Sequence, residues 1–341
     1  MDDELRRART QGALLGGAVG DALGLPFEGL DERLVSHLPL KRFTLFGRTG
    51  FVSDDTEQSA LIAQAFAHHP RSDARLLRAV RRSIVAWFLR LPFGIGFGTM
   101  RACLRMALGV PRPGVRSAGN GAAMRAGILG VCLAFESERR RSLGRQVAQL
   151  THTDPRAVEG ALFVAEVAAG ALRGGPSTSP TLVLKEAASV LTEPTLQRAV
   201  HKGLDAAKQG LPLPEAATKL GTSGFIVHSL AATTYCFARR PCSPFESIRD
   251  AIRMGGDTDS HAAIVGGWVG AMHGSEVFPS ELVEALHDGP FGPSHLRRLG
   301  DAIARGTPPP AWSWLAALVR NLALFPVILV HGFAHLGRRR R

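Results

Sequence analysis

The sequence predicts an all-α protein, a compact multi-helix domain with acidic clusters placed at helix N-termini. Three observations carry that expectation. Apolar residues recur at helical intervals along most of the 341 residues, strand-like alternation is scarce, and a single Tyr beside 17 Phe and many Ala, Leu and Val favours helix over sheet. Hydrophobic content of 45% and charged content of 21% exclude a disordered chain, and the length allows a large buried core.

The first element is "DDELRRARTQGALLGGAVGDALGLPFEG". It opens on an acidic turn and sets Leu14, Leu15, Ala18, Val19 and Leu23 at helical spacing. Gly12, Gly16, Gly17 and Gly20 each weaken such a helix by up to about 1 kcal/mol relative to Ala, so another helix or a ligand is expected close to its backbone. After a turn-rich loop, "FVSDDTEQSALIAQAFAHH" offers Ser53 or Asp54 as the cap of a helix running through Leu61, Ile62, Ala65 and Phe66. Further helices are predicted over residues 72–91, 98–109, 120–137, 142–151, 155–173, 181–192, 194–208, 214–220, 224–239, 244–254, 259–273 and 279–287. No Pro/Ser-rich linker divides this run.

The pattern breaks at "ARGTPPPAW". The expected division is a domain over 1–306, then a Pro-rich linker and an apolar, basic-ended tail helix over 307–341. The tail, "WSWLAALVRNLALFPVILVHGFAHLGRRRR", is long enough to cross a bilayer, with Trp312 and Trp314 at one interface and Arg338 to Arg341 at the other. Arg320 in its first third would cost a few kcal/mol there, which favours a membrane-surface or protein-docked helix. Membrane association through residues 312–341 is therefore an open expectation.

The net charge of +12 suggests attraction to phosphates. The basic clusters read mainly as solvated faces, and none is interleaved with aromatics, so no specific nucleic-acid binding is expected. Cys103, Cys132, Cys236 and Cys242 show no CxxC spacing and the N-terminus lacks a signal-peptide pattern, which makes free thiols in a reducing, cytoplasmic compartment the default.

Two acidic clusters carry the candidate chemistry: Ser53-Asp54-Asp55-Thr56 and Asp257-Thr258-Asp259-Ser260. Each stands at a turn into an apolar helix, and each mixes carboxylates with hydroxyls, hard oxygen donors that select Mg²⁺ or Mn²⁺ over Zn²⁺. Should they converge, four carboxylates could hold two divalent cations. Taken alone, each cluster reads equally as a helix cap with an exposed acid.

The segments "GALLGGAVGDALGLPFEG", "GFVSDDTEQSALIAQAF", "SAGNGAAMRAGILG", "THTDPRAVEGALFVAE", "GFIVHSLAATTYCF" and "MGGDTDSHAAIVGGWVGAMHG", in that order and spacing, resemble the ADP-ribosylglycohydrolase family over roughly residues 10–290. The resemblance implies a two-metal site that hydrolyses the glycosidic bond between ADP-ribose and an acceptor, on an ADP-ribosylated protein or a small conjugate. It implies Ser53, Asp54, Asp55, Asp257, Asp259 and Ser260 as metal ligands, with Ser53 where Thr is commoner. By the same resemblance Asp55 or Glu28 is the catalytic acid–base group, although Glu28 also reads as a surface residue. Gly119, Asn120 and Gly121 with Met124, His152, Gly255 and Gly256 would face the substrate; His152 could equally be structural. Gly94 stands where many members carry an acid, which leaves open the linkage that is cut and a catalytically weak ADP-ribose-binding module as the alternative.

Overall fold

The computed structural model describes residues 1–338, with side chains described as far as His331; the basic cluster Arg338 to Arg341 expected to end the tail lies outside these side chains. The helices are α1 (Asp3–Gly24), α2 (Glu32–Val35), α3 (Asp54–His68), α4 (Asp73–Phe88), α5 (Phe97–Ala107), α6 (Ala126–Cys132), α7 (Ser137–Gln149), α8 (Pro155–Gly174) and α9 (Pro180–Ala187). They continue as α10 (Pro194–Lys208), α11 (Leu213–Leu220), α12 (Ile226–Arg239), α13 (Pro244–Arg253), α14 (Thr258–His273), α15 (Ser280–Glu284), α16 (Pro293–Arg305) and α17 (Trp314–Arg338). Among the described residues β-structure is confined to isolated bridges, such as Gly50 with Leu286 and Gly119 with Phe225. The all-α expectation holds.

Three local expectations change. The helix expected over 120–137 is a 3-10 turn at Asn120–Ala122 followed by the short α6, because Asn120 spends its amide N–H on Gly224 O and its side chain on tertiary partners. The segment expected over 279–287 shortens to α15, since Gly50 N binds Ala285 O and His287 N binds Gly50 O. Helix α16 was not expected: Pro293, which reads as a breaker in "GPFGP", occupies its first turn, where a missing N–H costs nothing.

The α1–α14 pair organises the core. The two helices run antiparallel with glycines meeting backbone: a Cβ on Gly16 would strike Gly266 O, one on Gly20 would strike Ala262 O, and one on Gly24 would lie 2.5 Å from Thr258 O. The same holds in reverse for Gly266 against Gly16 O and Gly270 against Gly12 O. Whereas a Cβ on Gly17 would make only an ordinary contact, 3.7 Å from Ala263 O, close approach to a helix is what Gly12, Gly16 and Gly20 serve. It brings the C-terminal end of α1 beside the first turn of α14, and around this pair Trp268, Phe163 and Phe237 fill the interior.

The tail is docked on the domain. Helix α17 is long and apolar enough to cross a membrane, yet the two polar residues that interrupt it face protein. Arg320 is buried and pairs with Glu57 of α3, and its guanidinium also donates to Pro290 O at 3.0 Å. Asn321 is buried and donates to Arg90 O at 3.1 Å. In the lipid interior the same groups would have no such partners.

Candidate active site

The acids expected from two distant segments meet. Asp54 and Asp55 begin α3, and Asp257 to Ser260 enter α14, whose N-terminus is held against the end of α1 by the glycine contacts. Ser260 Oγ donates to Asp55 Oδ2 at 3.2 Å, tying residues 205 apart. Carboxylate oxygens of Glu28, Asp257 and Asp259 lie within 4.8 Å of one another. Glu28, Asp54, Asp257, Asp259 and Ser260 line one cleft of about 570 Å³.

Capping accounts for little of this: Asp259 Oδ1 accepts from Ser260 N at 2.9 Å in the first turn of α14, but the other acids are placed otherwise. Asp257 makes no side-chain capping bond to α14; its Oδ2 instead accepts from Asn120 Nδ2 at 2.5 Å. Ser53, one of the two expected caps, is the N-cap of α3, its Oγ accepting from Asp55 N at 3.5 Å. The remaining help comes from outside the segment, from Asp21, a fully buried carboxylate that accepts from Ser53 N at 2.9 Å, Thr56 N at 3.1 Å and Thr56 Oγ1 at 2.5 Å. Asp54 and Asp55 are thereby released from helix-capping work.

Electrostatically the cluster is short of positive charge. Burial, and then repulsion by Asp21, Glu28 and Asp257, pushes the Asp54 carboxyl well above the ordinary range. Burial followed by Asp54, Asp21 and Asp257 does the same to Asp55, and burial with Glu28, Asp257, Asp55 and Asp21 to Asp259. Asp21 is raised to about 6 by burial, held back by its bonds to Thr56 and Ser53. Asp55 Oδ1 is buried without a hydrogen-bond partner. A buried oxygen with no donor, among acids that raise one another, fits hard divalent cations, whose charge offsets the repulsion and whose coordination takes up the bare oxygen.

The remaining predicted residues fall as follows. Ser53 is buried behind the cleft, with Oγ 3.3 Å from Asp55 Oδ2. Asp55 borders a separate apolar cavity of about 40 Å³ beside Met124 and Trp268 and does not line the cleft, which suits a ligand better than a base acting on substrate. Gly119, Asn120, Gly121, Met124, His152 and Gly256 line the cleft, whereas Gly255 does not. Its φ of +73° and the Leu30 O and Glu32 N atoms within 2.8 Å of a would-be Cβ make it a backbone requirement. Asn120 is fixed by Gly224 O, Ser229 Oγ and Asp257, so it presents a defined amide at the cleft edge. His152, held by Thr151 Oγ1 at 2.8 Å, is lowered to about 3 by burial and by Arg125, and is a neutral ring at physiological pH.

Gly94 has a spatial explanation. It sits at φ +81°, and a Cβ there would lie 2.6 Å from Asp54 Oδ1. A side chain at this position would be strained by the backbone and would press on Asp54.

Sequence reasoning passed over Asp21, Glu57, Arg90 and Ser229; Arg125, which completes the GNG motif with Met124, it left without a role. Arg125 is fully buried, donating to Gln58 Oε1 and Thr151 Oγ1, and burial lowers it to about 10. An acid inside the Gly/Ala run "GAVGDALG" was the available signal for Asp21, and a third acid in the first turn of α3 the signal for Glu57. Arg90 is signalled by nothing local.

The comparisons with known proteins name one family where they name any. The ADP-ribosylglycohydrolase family profile matches residues 2–312. A protein of Archaeoglobus fulgidus described as uncharacterized is 30% identical over 296 residues, 82% of this chain and 91% of that protein. ADP-ribosylhydrolase ARH3 of Bos taurus is 30% identical over 196 residues, 49% of this chain and 53% of that one. A solved structure titled ADP-ribosylglycohydrolase-related protein complex superposes with a TM-score of 0.69 at 28% identity, covering 89% of this chain and 99% of its own.

Proposed function

The chain belongs to the ADP-ribosylglycohydrolase family, whose reaction is hydrolysis of ADP-ribosyl linkages, and from that premise we propose that its cleft is a metal-dependent active site for removing ADP-ribose from a protein side chain or a small conjugate. The observation that carries the reading is the convergence of Glu28, Asp54, Asp257 and Asp259 on the cleft that Asn120, Gly121 and His152 also line. Two divalent cations, Mg²⁺ or Mn²⁺, would supply the Lewis acidity that polarises ribose oxygens and the charge that keeps the acids ionised. Ser53, Asp54, Asp55, Asp257, Asp259 and Ser260 would hold them.

The chain's own residues do the rest. The Gly119–Gly121 turn lets backbone approach the diphosphate, where a side chain would intrude. Asn120 and neutral His152 orient the ribose by hydrogen bonds without adding charge. Glu28 is exposed on the cleft wall and is the base. Water attacks C1″ as the bond to the acceptor breaks through an oxocarbenium-like transition state; Glu28 takes the water's proton and returns it to the departing acceptor. Carboxylates beside the ribose stabilise its developing positive charge.

Purified protein with Mn²⁺ is expected to release ADP-ribose from a modified protein, and Asp259→Ala or excess chelator to abolish release. Full release by Asp259→Ala would overturn the assignment. The exposed thiol of Cys242 and the three buried thiols support a reducing, cytoplasmic setting.

The outer face of α17 supports a second, compatible reading, contact with an anionic membrane surface. Leu315, Val319, Leu322, Phe325, Leu329 and Val330 are exposed along it. Leu45, Phe51 and Ile328 pack against one small cluster, and the loop that carries Leu45 and Phe51 also carries the exposed Lys41, Arg42 and Arg48. An apolar stripe flanked by cations is the pattern of an interfacial helix. Co-sedimentation with phosphatidylserine vesicles, lost in Val319→Ser/Leu322→Ser, tests it; equal sedimentation of both proteins would refute it.

A further inference from the structure

Helix α17 lies beyond residues 2–312, which the family profile matches, yet its inner face touches three segments that build the cleft. Its first anchor is polar. Arg320 pairs with Glu57, and the same carboxylate accepts from Trp87 Nε1 at 2.7 Å and from Arg90 at 3.1 Å. Glu57 stands in the first turn of α3, two residues after Asp55. The Arg90 guanidinium in turn lies against the packed rings of Phe291 and Trp312, 5.2 and 5.1 Å from their centroids, and the Arg90 carbonyl accepts from Asn321 of α17.

The second anchor is apolar. Leu324 is buried against Leu25 and Phe93 in a small cluster separate from the main core. Leu25 opens the 3-10 turn Leu25–Phe27 that delivers Glu28, and Phe93 precedes Gly94, the residue packed against Asp54. Farther along, the His331 imidazole Nε2 lies 2.7 Å from Pro26 O, on the same turn. The other end of that loop is fixed independently, by Gly29 N on Gly256 O and Gly256 N on Leu30 O.

We propose that α17 is a strap that positions the active site: Arg320 sets the first turn of α3 through Glu57, while Leu324 and His331 set the Leu25–Glu28 turn and the Phe93–Gly94 loop. The proposal rests on the reading of the cleft as the active site. Arg320, Leu324 and His331 are positioning residues, acting through Asp54 and Glu28 without reaching substrate. Each anchor predicts a different loss. Freeing the Leu25–Glu28 turn displaces the base, which lowers kcat on the order of tenfold or more while ADP-ribose affinity stays near wild type. Freeing α3 displaces Asp54 and Asp55, which weakens cation binding first.

The test uses the full chain. Leu324→Ala/His331→Ala should lower kcat with little change in KM and accelerate amide hydrogen exchange in residues 25–30 and 91–96. Arg320→Met should weaken Mn²⁺ binding, read by electron paramagnetic resonance without any substrate, and Arg320→Lys should recover part of it. Ala323→Ser, at an exposed position of the same helix, should leave all three readouts unchanged. Wild-type exchange, kcat and Mn²⁺ affinity in the anchor variants would overturn the strap. If wild type releases no ADP-ribose while the exchange and Mn²⁺ differences appear, the catalytic reading fails and the strap stands.

Discussion

At Asp259 the physical question is how a carboxylate survives full burial beside Asp257 and near Asp55. A pair of cations is the arrangement that removes the penalty, so Asp259→Ala should lose Mn²⁺ binding along with turnover, read by calorimetry. Gly94 makes a sharper prediction. Gly94→Ala places a methyl against Asp54 Oδ1 at a φ that L-residues resist, so about 1 kcal/mol of stability should be lost in denaturant titration, together with a drop in cation affinity. Most of the cluster was legible because hydroxyl-and-acid runs against apolar helices are chemically odd. Asp21 escaped because a single acid in a helix carries no pattern. Its work became visible only once Ser53 and Thr56 were seen donating to it across the α1–α3 contact. Asp55 was legible as an acid but not as one set behind the wall.

Among the elements, α1 and α14 were readable and their pairing was half readable. Glycines at 12, 16 and 20 said that something approaches; helical spacing alone could not say that Gly266 and Gly270 answer them. Because the contact is backbone on backbone, neighbouring side chains cannot move aside. Gly16→Leu should therefore cost about 3 kcal/mol or more, above what overpacking a side-chain interface costs, and thermal denaturation will show it. Cleft activity should fall with it, since the same contact sets α14 against the end of α1. Helix α16 was hidden for the opposite reason: Pro293 is a breaker in mid-helix and an opener in a first turn, and only the surrounding chain decides which. The tail was legible as apolar, and Arg320 as the residue that argued against spanning. Its true partner, Glu57, lies 263 residues away, beyond the reach of any local pattern.

For the molecule as a whole, the buried acids couple stability to pH and to cations. Asp54, Asp55 and Asp259 hold protons more tightly folded than unfolded, and Asp21 does so to about 6. The contribution of these groups to the stability of metal-free protein should thus be fully present below about pH 4 and be lost as pH rises through about 6 and above. Cations bind the ionised acids, so the stabilisation by Mn²⁺ should grow over the same interval. Melting temperatures at pH 5 and pH 8, with and without Mn²⁺, check both signs; a metal-free protein more stable at pH 8 would refute them. The tie between Ser260 and Asp55 has a further consequence, for synthesis. At about 5–20 residues per second, roughly ten to forty seconds separate the emergence of α3 from that of the first turn of α14, 205 residues later. During that interval α1 is already present, with Asp21 to receive Ser53 and Thr56, but the Ser260 hydroxyl that donates to Asp55 and the second pair of acids are still missing. The cation site is therefore completed only when the last quarter of the chain arrives.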